Sequence, residues 1–174
     1  VKVFRQHRDV RFSPDKSPYK LRTYGVIFGA PGAGHGLYAE LSARGLYAGT
    51  GYHQMARDQL DRFREAIVSD ERGPELEAAV AAASAAGLEL AGSSLRTAPR
   101  GYDRDHERIE LLRRKALIAG LRLHPGEDGI TRDAALSHAS ATWHAAAPLN
   151  AWPDATVGPT TLELEYEVDG RSAV

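Results

Sequence analysis

The residue types best suited to chemistry gather in two charged stretches. The first, RQHRDVRFSPDKSPYK, sets Arg5, His7, Arg8, Arg11, Lys16 and Lys20 in a strand-like segment and a loop bounded by Pro14 and Pro18. On an extended backbone Arg5, His7, Asp9 and Arg11 share one side and Arg8 points to the other. Such a cluster can hold a phosphate or carboxylate through charge-assisted hydrogen bonds, and Tyr19 stands among them as a further ligand-binding candidate. The competing reading is structural. Arg8 and Arg11 then pair with Asp9, Asp15 or the acidic C-terminal stretch, and exposed pairs of that kind contribute little.

The second stretch is PRGYDRDHERIELLRRK. Arg100 precedes Gly101 in a turn, a good place from which to aim a guanidinium at a ligand, and Tyr102 comes next. His106 is a candidate acid/base, with Asp103 close enough in sequence to orient it. The plainer reading makes Asp103 or Asp105 a helix cap and His106 a surface residue.

The glycine-rich stretch GAPGAGHG, residues 29–36, comes after the strand-like TYGVIF and has the outline of a phosphate loop. A P-loop needs G-x-x-x-x-G-K-[ST] opening a helix. Gly29 and Gly34 have the spacing, but His35 and Gly36 replace the lysine and the hydroxyl. The residues after Gly36 alternate with period two rather than opening a helix. The stretch is therefore expected to be a turn between strands. No cofactor is expected. His138 and His144 fall on opposite sides of a helix and His35, His53 and His124 are isolated, so no metal site is expected either. No serine lies in a G-x-S-x-G elbow.

The chain has 174 residues, 43% hydrophobic and 26% charged, with a net charge of −1 and no cysteine. A chain of this length buries roughly two-thirds of its unfolded surface, enough for one real core. Disulfides, thiolate metal sites and a cysteine nucleophile are excluded, and the cytoplasm is the default address. No apolar run approaches the roughly 18 residues that span a bilayer, so no membrane partner is expected. Residues 1–24 carry seven Lys/Arg against two Asp, while residues 153–174 carry five acids against Arg171. That asymmetry suits either an anion-binding face or two regions that attract each other. Phe4, Phe12 and Tyr19 are interleaved with the basic residues, yet the neutral total and the lack of a recognition motif argue against nucleic acid. The start at Val1 rather than Met suggests a preceding segment.

The elements that must position these residues are set by periodicity. VKVFRQHRDVRF reads as a charged strand and TYGVIFG as a buried one. GLYAELSARGLYAGTGYH reads as a hairpin, with Gly45 free to take positive φ. ARDQLDRFREAIVSD places Leu60, Phe63 and Ile67 on one helical stripe. GPELEAAVAAASAAG, with its weak Leu76, Val80 and Ala83 face, suits a surface helix stopping at Gly87. LELAGSSLRTAPRG offers two short strands, DRDHERIELLRRKA a helix with acids in its first turn, and LIAGLRLH a strand. TRDAALSHASATWHAAA is a helix capped by Thr131, carrying Leu136, Ala139 and Trp143 on one stripe and ended by Pro148. TTLELEYEV alternates like a half-exposed strand.

Together the charged stretches, the hairpin and QLDRFREAI resemble successive landmarks of an uncharacterised family, number 2461 in the domain-of-unknown-function series. The resemblance runs from about residue 3 to about 150. It implies a single α+β domain without an assigned activity. Arg8, Asp9, Arg11, Phe12, Ser13, Asp15, Lys16, Pro18, Tyr19 and Lys20 match its first motif. Pro99, Arg100, Gly101, Tyr102, Asp103 and His106 match its second, followed by Arg113, Arg114 and Lys115. Members usually carry a helical segment before the first motif, which is absent here, and Glu107 and Ala116 stand where proline and serine are usual. The segment after Pro148 departs from the family's helical ending.

The expected fold is α+β, a curved antiparallel sheet with helices mainly on one face. Residues 1–150 form the domain and 151–174 a tail, as an edge strand or loosely ordered. The leading functional expectation is a binding module for a small anion, in which Arg8, Arg11, Lys16, Tyr19 and Lys20 meet Arg100 and Tyr102 at one pocket. A hydrolase or transferase using His106, Asp103 and Arg100 is the alternative, and a structural or interaction protein the third.

Overall fold

The alternation in RTYGVIF, GLYAELS and GLYAGTGY produces three strands, β2 (Arg22–Phe28), β3 (Gly36–Ser42) and β4 (Gly45–Tyr52). The computed structural model describes residues 2–5, 7–28, 34–126 and 129–162. Strands β2 and β3 are antiparallel neighbours from Arg22↔Ser42 to Phe28↔Gly36. GAPGAGHG therefore leads into a strand, not a helix, although residues 29–33 lie outside the described residues. The expected hairpin closes where Ser42 faces Gly45. Gly45 has φ +105°, and a Cβ there would strike the Leu123 carbonyl, so glycine is required on two counts.

Strand β6 (Leu117–Leu123) lies beside β4, and β5 (Glu89–Ala91) forms the edge beyond it. At the other edge β1 (Lys2–Val3) pairs with β2. The sheet order is β1-β2-β3-β4-β6-β5, antiparallel throughout. Strand β1 is much shorter than the charged stretch predicts. Among the described residues, after Phe4 donates its N–H to the Tyr24 carbonyl, pairing resumes at the lone His7↔Tyr19 bridge. Like charges crowd that segment, and Pro14 and Pro18 have no N–H to give to a ladder.

The strand faces divide cleanly. Leu46, Ala48, Thr50, Tyr52, Leu117 and Ala119 are buried toward the helices. On the opposite face Tyr24, Tyr38 and Tyr47 form a ladder with ring centroids 6.1 Å apart at each step. The buried Glu40 accepts the Tyr38 hydroxyl at 3.0 Å and lies 3.8 Å from Arg22 and 3.9 Å from Arg122.

Helices α1 (Arg57–Val68) and α2 (Arg72–Ala85) bury Phe63, Ile67 and Leu76 completely. Full burial of each such side chain is worth about 1.5–3 kcal/mol. Leu60 is half-buried, and α2 packs on α1 and on α5 rather than lying loosely on the surface. Gly87 ends α2 as expected, at φ +82°. Helix α4 (Arg132–Ala145) begins where the Thr131 hydroxyl accepts the Ala134 N–H at 3.2 Å. Its buried side is Ala139 and Thr142, with Trp143 half-buried and Leu136 exposed.

Three expectations need correction. The helix expected over 103–116 shrinks to α3 (Ile109–Leu112), because the preceding polar groups close turns among themselves. LELAGSSLRTAPRG supplies one strand and a lone Ser94↔Arg114 bridge. Pro148 does not terminate α4; it occupies the first turn of α5 (Ala147–Thr156), where its missing N–H costs nothing. This helix carries Leu149 and Trp152 into the core, and Val157 joins them there. Trp152 meets Phe63 edge-on at 5.9 Å and donates its indole N–H to the Arg72 carbonyl at 2.8 Å. The strand-like pattern of residues 161–168 lies almost wholly outside the described residues. Among the described residues no helix is long and apolar enough to cross a membrane.

Candidate functional site

The first charged stretch hangs from the β1–β2 edge. Its backbone is tied at Phe4 and again where Arg8 donates its N–H to the Pro18 carbonyl at 3.0 Å. Between the ties the His7 and Tyr19 rings pack with centroids 5.1 Å apart. Arg5, His7, Arg8, Asp9 and Arg11 line a notch of about 250 Å³. Arg8, assigned to the opposite side by strand alternation, joins it because the regular strand ends at Val3 and His7 makes only an isolated bridge.

Local acids answer part of the charge. Arg11 grips both Asp9 oxygens, Nε at 3.0 Å and Nη2 at 2.8 Å. The Arg11 guanidinium, helped by its backbone N–H, holds the Asp9 carboxyl down at about 2. Arg8 pairs with Asp15 and reaches the Ser17 hydroxyl at 3.0 Å. The Ser17 backbone N–H, then its hydroxyl and Arg8, hold the Asp15 carboxyl down at about 2. Lys16 donates to the Val10 carbonyl at 2.9 Å. Residues 5–20 nevertheless hold five Lys/Arg against two carboxylates. Arg5 and Lys20 meet no carboxylate among the described residues.

The second stretch spends its polar groups differently. Arg100 is exposed beside Gly101, at φ +90°, in a turn where Tyr102 donates its N–H to the Pro99 carbonyl at 3.2 Å. Tyr102 packs on the helical core, and burial raises its phenol. The Asp103 carboxylate accepts the Asp105 N–H at 2.9 Å, while His106 Nδ1 accepts the Arg108 N–H at 2.9 Å. The Asp103 carboxylate and the His106 ring thus serve separate turns. Arg113 donates to the Leu95 and Arg96 carbonyls at 2.8 and 2.7 Å.

The two stretches do not form one pocket. The first lies in the β1–β2 connection and the second in the β5–β6 connection, at opposite edges of the sheet. At strand spacings of about 4.8 Å the edges of six strands stand roughly 24 Å apart. Arg100 and Tyr102 are therefore remote from Arg8, Arg11, Lys16, Tyr19 and Lys20. A different hollow, of about 380 Å³, opens on the helix-covered face beside His35 and Asp154. Those two residues are 119 apart in the sequence, and no local spacing marks them as partners.

An open antiparallel sheet with helices on one face and a cationic notch at its edge defines an α+β domain. The chain belongs to the family described as conserved hypothetical protein (DUF2461), which it matches over residues 1–152. No curated protein and no solved structure matches it.

Proposed function

We propose that the protein binds a small phosphate- or carboxylate-bearing anion in the notch of Arg5, His7, Arg8 and Arg11. The observation that carries this reading is the excess of guanidinium over carboxylate around one hollow. Arg11 is 68% exposed in its pair with Asp9, and such pairs are worth only about 0–1 kcal/mol. An incoming anion can therefore take over the Arg11 fork at little cost, while Arg5 supplies further donors. His7 adds a ring N–H at the same wall.

Calorimetric titration with inorganic phosphate tests the reading. Replacing Arg5 or Arg11 by alanine is expected to weaken binding by about tenfold, the loss of one hydrogen bond to a charged group. Arg100→Ala, at the far edge of the sheet, is expected to bind as the wild type does. Equal affinity across all three variants, or no saturable heat with the wild type, would overturn the proposal.

A further inference from the structure

His35 lies near the end of the glycine-rich stretch, and among the described residues its ring is held by Asp154. Nδ1 lies 2.8 Å from Asp154 Oδ2 and 3.1 Å from Oδ1. A carboxylate can only accept, so in the neutral ring Nδ1 carries the proton and Nε2 has the lone pair. Asp154 is fixed in turn by the Tyr52 hydroxyl, which donates to Oδ1 at 2.9 Å. Burial, and then the Asp154 hydrogen bond, push the Tyr52 phenol up, so it stays a neutral donor. A Cβ at Gly34 would collide with the Tyr52 ring, so only glycine lets the chain cross there. One turn before Asp154, Asn150 donates to the Thr50 hydroxyl at 2.9 Å and pins α5 to β4.

The imidazole thus stands oriented at the rim of the 380 Å³ hollow, 27% exposed. Leu37, Trp143, Ala147 and Ala151 supply its apolar wall. Trp143 is locked by its indole N–H to the Gly49 carbonyl at 3.1 Å. His144 directs Nδ1 to the Ser140 carbonyl at 2.7 Å, which leaves it a second acceptor nitrogen. Among the described residues no Lys or Arg lines this hollow, and its acceptor nitrogens suit a neutral proton donor.

We infer that this hollow is a second site, for a small, largely apolar ligand carrying an acidic O–H, of the phenol class. The ring lies against Trp143 and Leu37, and the hydroxyl donates to His35 Nε2. If the proton crosses, the O–H bond breaks and an N–H bond forms. The resulting imidazolium is stabilised by Asp154 on one side and by the bound phenolate on the other. No other bond changes.

The experiment compares phenol with anisole, the same ring without the donor, monitored through the Trp143 indole N–H signal in NMR titrations. The wild type is expected to give a saturable shift with the phenol and at least about tenfold weaker binding of the ether. His35→Phe, a ring without an acceptor nitrogen, is expected to erase that preference, and Ala151→Phe, which fills the hollow from an exposed position, to abolish both titrations. Arg5→Ala is expected to leave them unchanged, which separates this site from the cationic notch. Equal binding of phenol and ether by the wild type, a preference that survives in His35→Phe, or a Trp143 signal that never moves would overturn the inference. Should His35→Phe fail to fold, the wild-type comparison and Ala151→Phe still decide it.

Discussion

Asp58 accepts the Thr160 hydroxyl at 2.6 Å, the Thr161 N–H at 2.8 Å and Arg62 Nη1 at 3.1 Å. These donors, Thr160 first, hold its carboxyl well below the usual carboxylate range. Arg62 also donates to the Val157 and Pro159 carbonyls at 2.6 and 2.8 Å, so one ion pair fastens the segment after α5 to the start of α1. A carboxyl lowered on folding adds stability above its unfolded value of about 3.9 and loses it as pH falls toward the folded value. Thermal melting measured from neutral into acid pH is expected to show a falling midpoint below about pH 4. Asp58→Asn is expected to melt earlier at neutral pH and to flatten that fall; an unchanged acid slope would contradict the assignment. The i,i+4 pair with Arg62 is local, but periodicity cannot reveal the tie to Thr160 and Thr161, which lie 102 and 103 positions away. The same holds for His35 and Asp154. Arg11 and Asp9, two positions apart, are legible as a pair.

At the scale of elements, the tyrosine ladder requires bare backbone beneath it. The Tyr47 ring covers Gly49 and Gly120, and a Cβ at Gly120 would meet the Tyr47 hydroxyl and lie 2.5 Å from the Ala48 carbonyl oxygen. Gly120→Ala is expected to cost about 1–3 kcal/mol, the range for overpacking, seen as a lower melting midpoint in circular dichroism. Gly126→Ala has open space around it and is expected to shift the midpoint little. Elements governed by local chemistry are legible in the sequence: the β3–β4 hairpin from its period of two and Gly45, the start of α4 from Thr131. Periodicity overreads helix α3 because Asp103 and His106 accept the Asp105 and Arg108 N–H groups in turns. It misses helix α5 because Pro148 reads equally as a stop and as a first-turn residue.

For the whole molecule, strand order decides what can cooperate. The motifs at residues 5–20 and 99–115 are both cationic, and composition alone joins them, but β2, β3, β4 and β6 stand between their edges. The candidate site is therefore legible as a set of charged residues, not as a constellation. The notch and the hollow beside His35 have opposite characters, one cationic at an edge, the other largely apolar under α4 and α5. Phosphate affinity is accordingly expected to fall as salt rises, since exposed guanidinium groups are screened over about 8–10 Å at 0.1–0.15 M. Phenol affinity is expected to change little over the same range.

Whether an anion seats among Arg5, Arg8 and Arg11 is decided by soaking a crystal of the protein in tungstate, an electron-dense analogue of phosphate. The expected result is an anomalous peak in the notch, within hydrogen-bonding distance of at least two of those guanidinium groups, that is lost in Arg5→Ala. An empty notch with all three arginines clear of lattice neighbours, or a peak unaffected by that substitution, would contradict anion binding there.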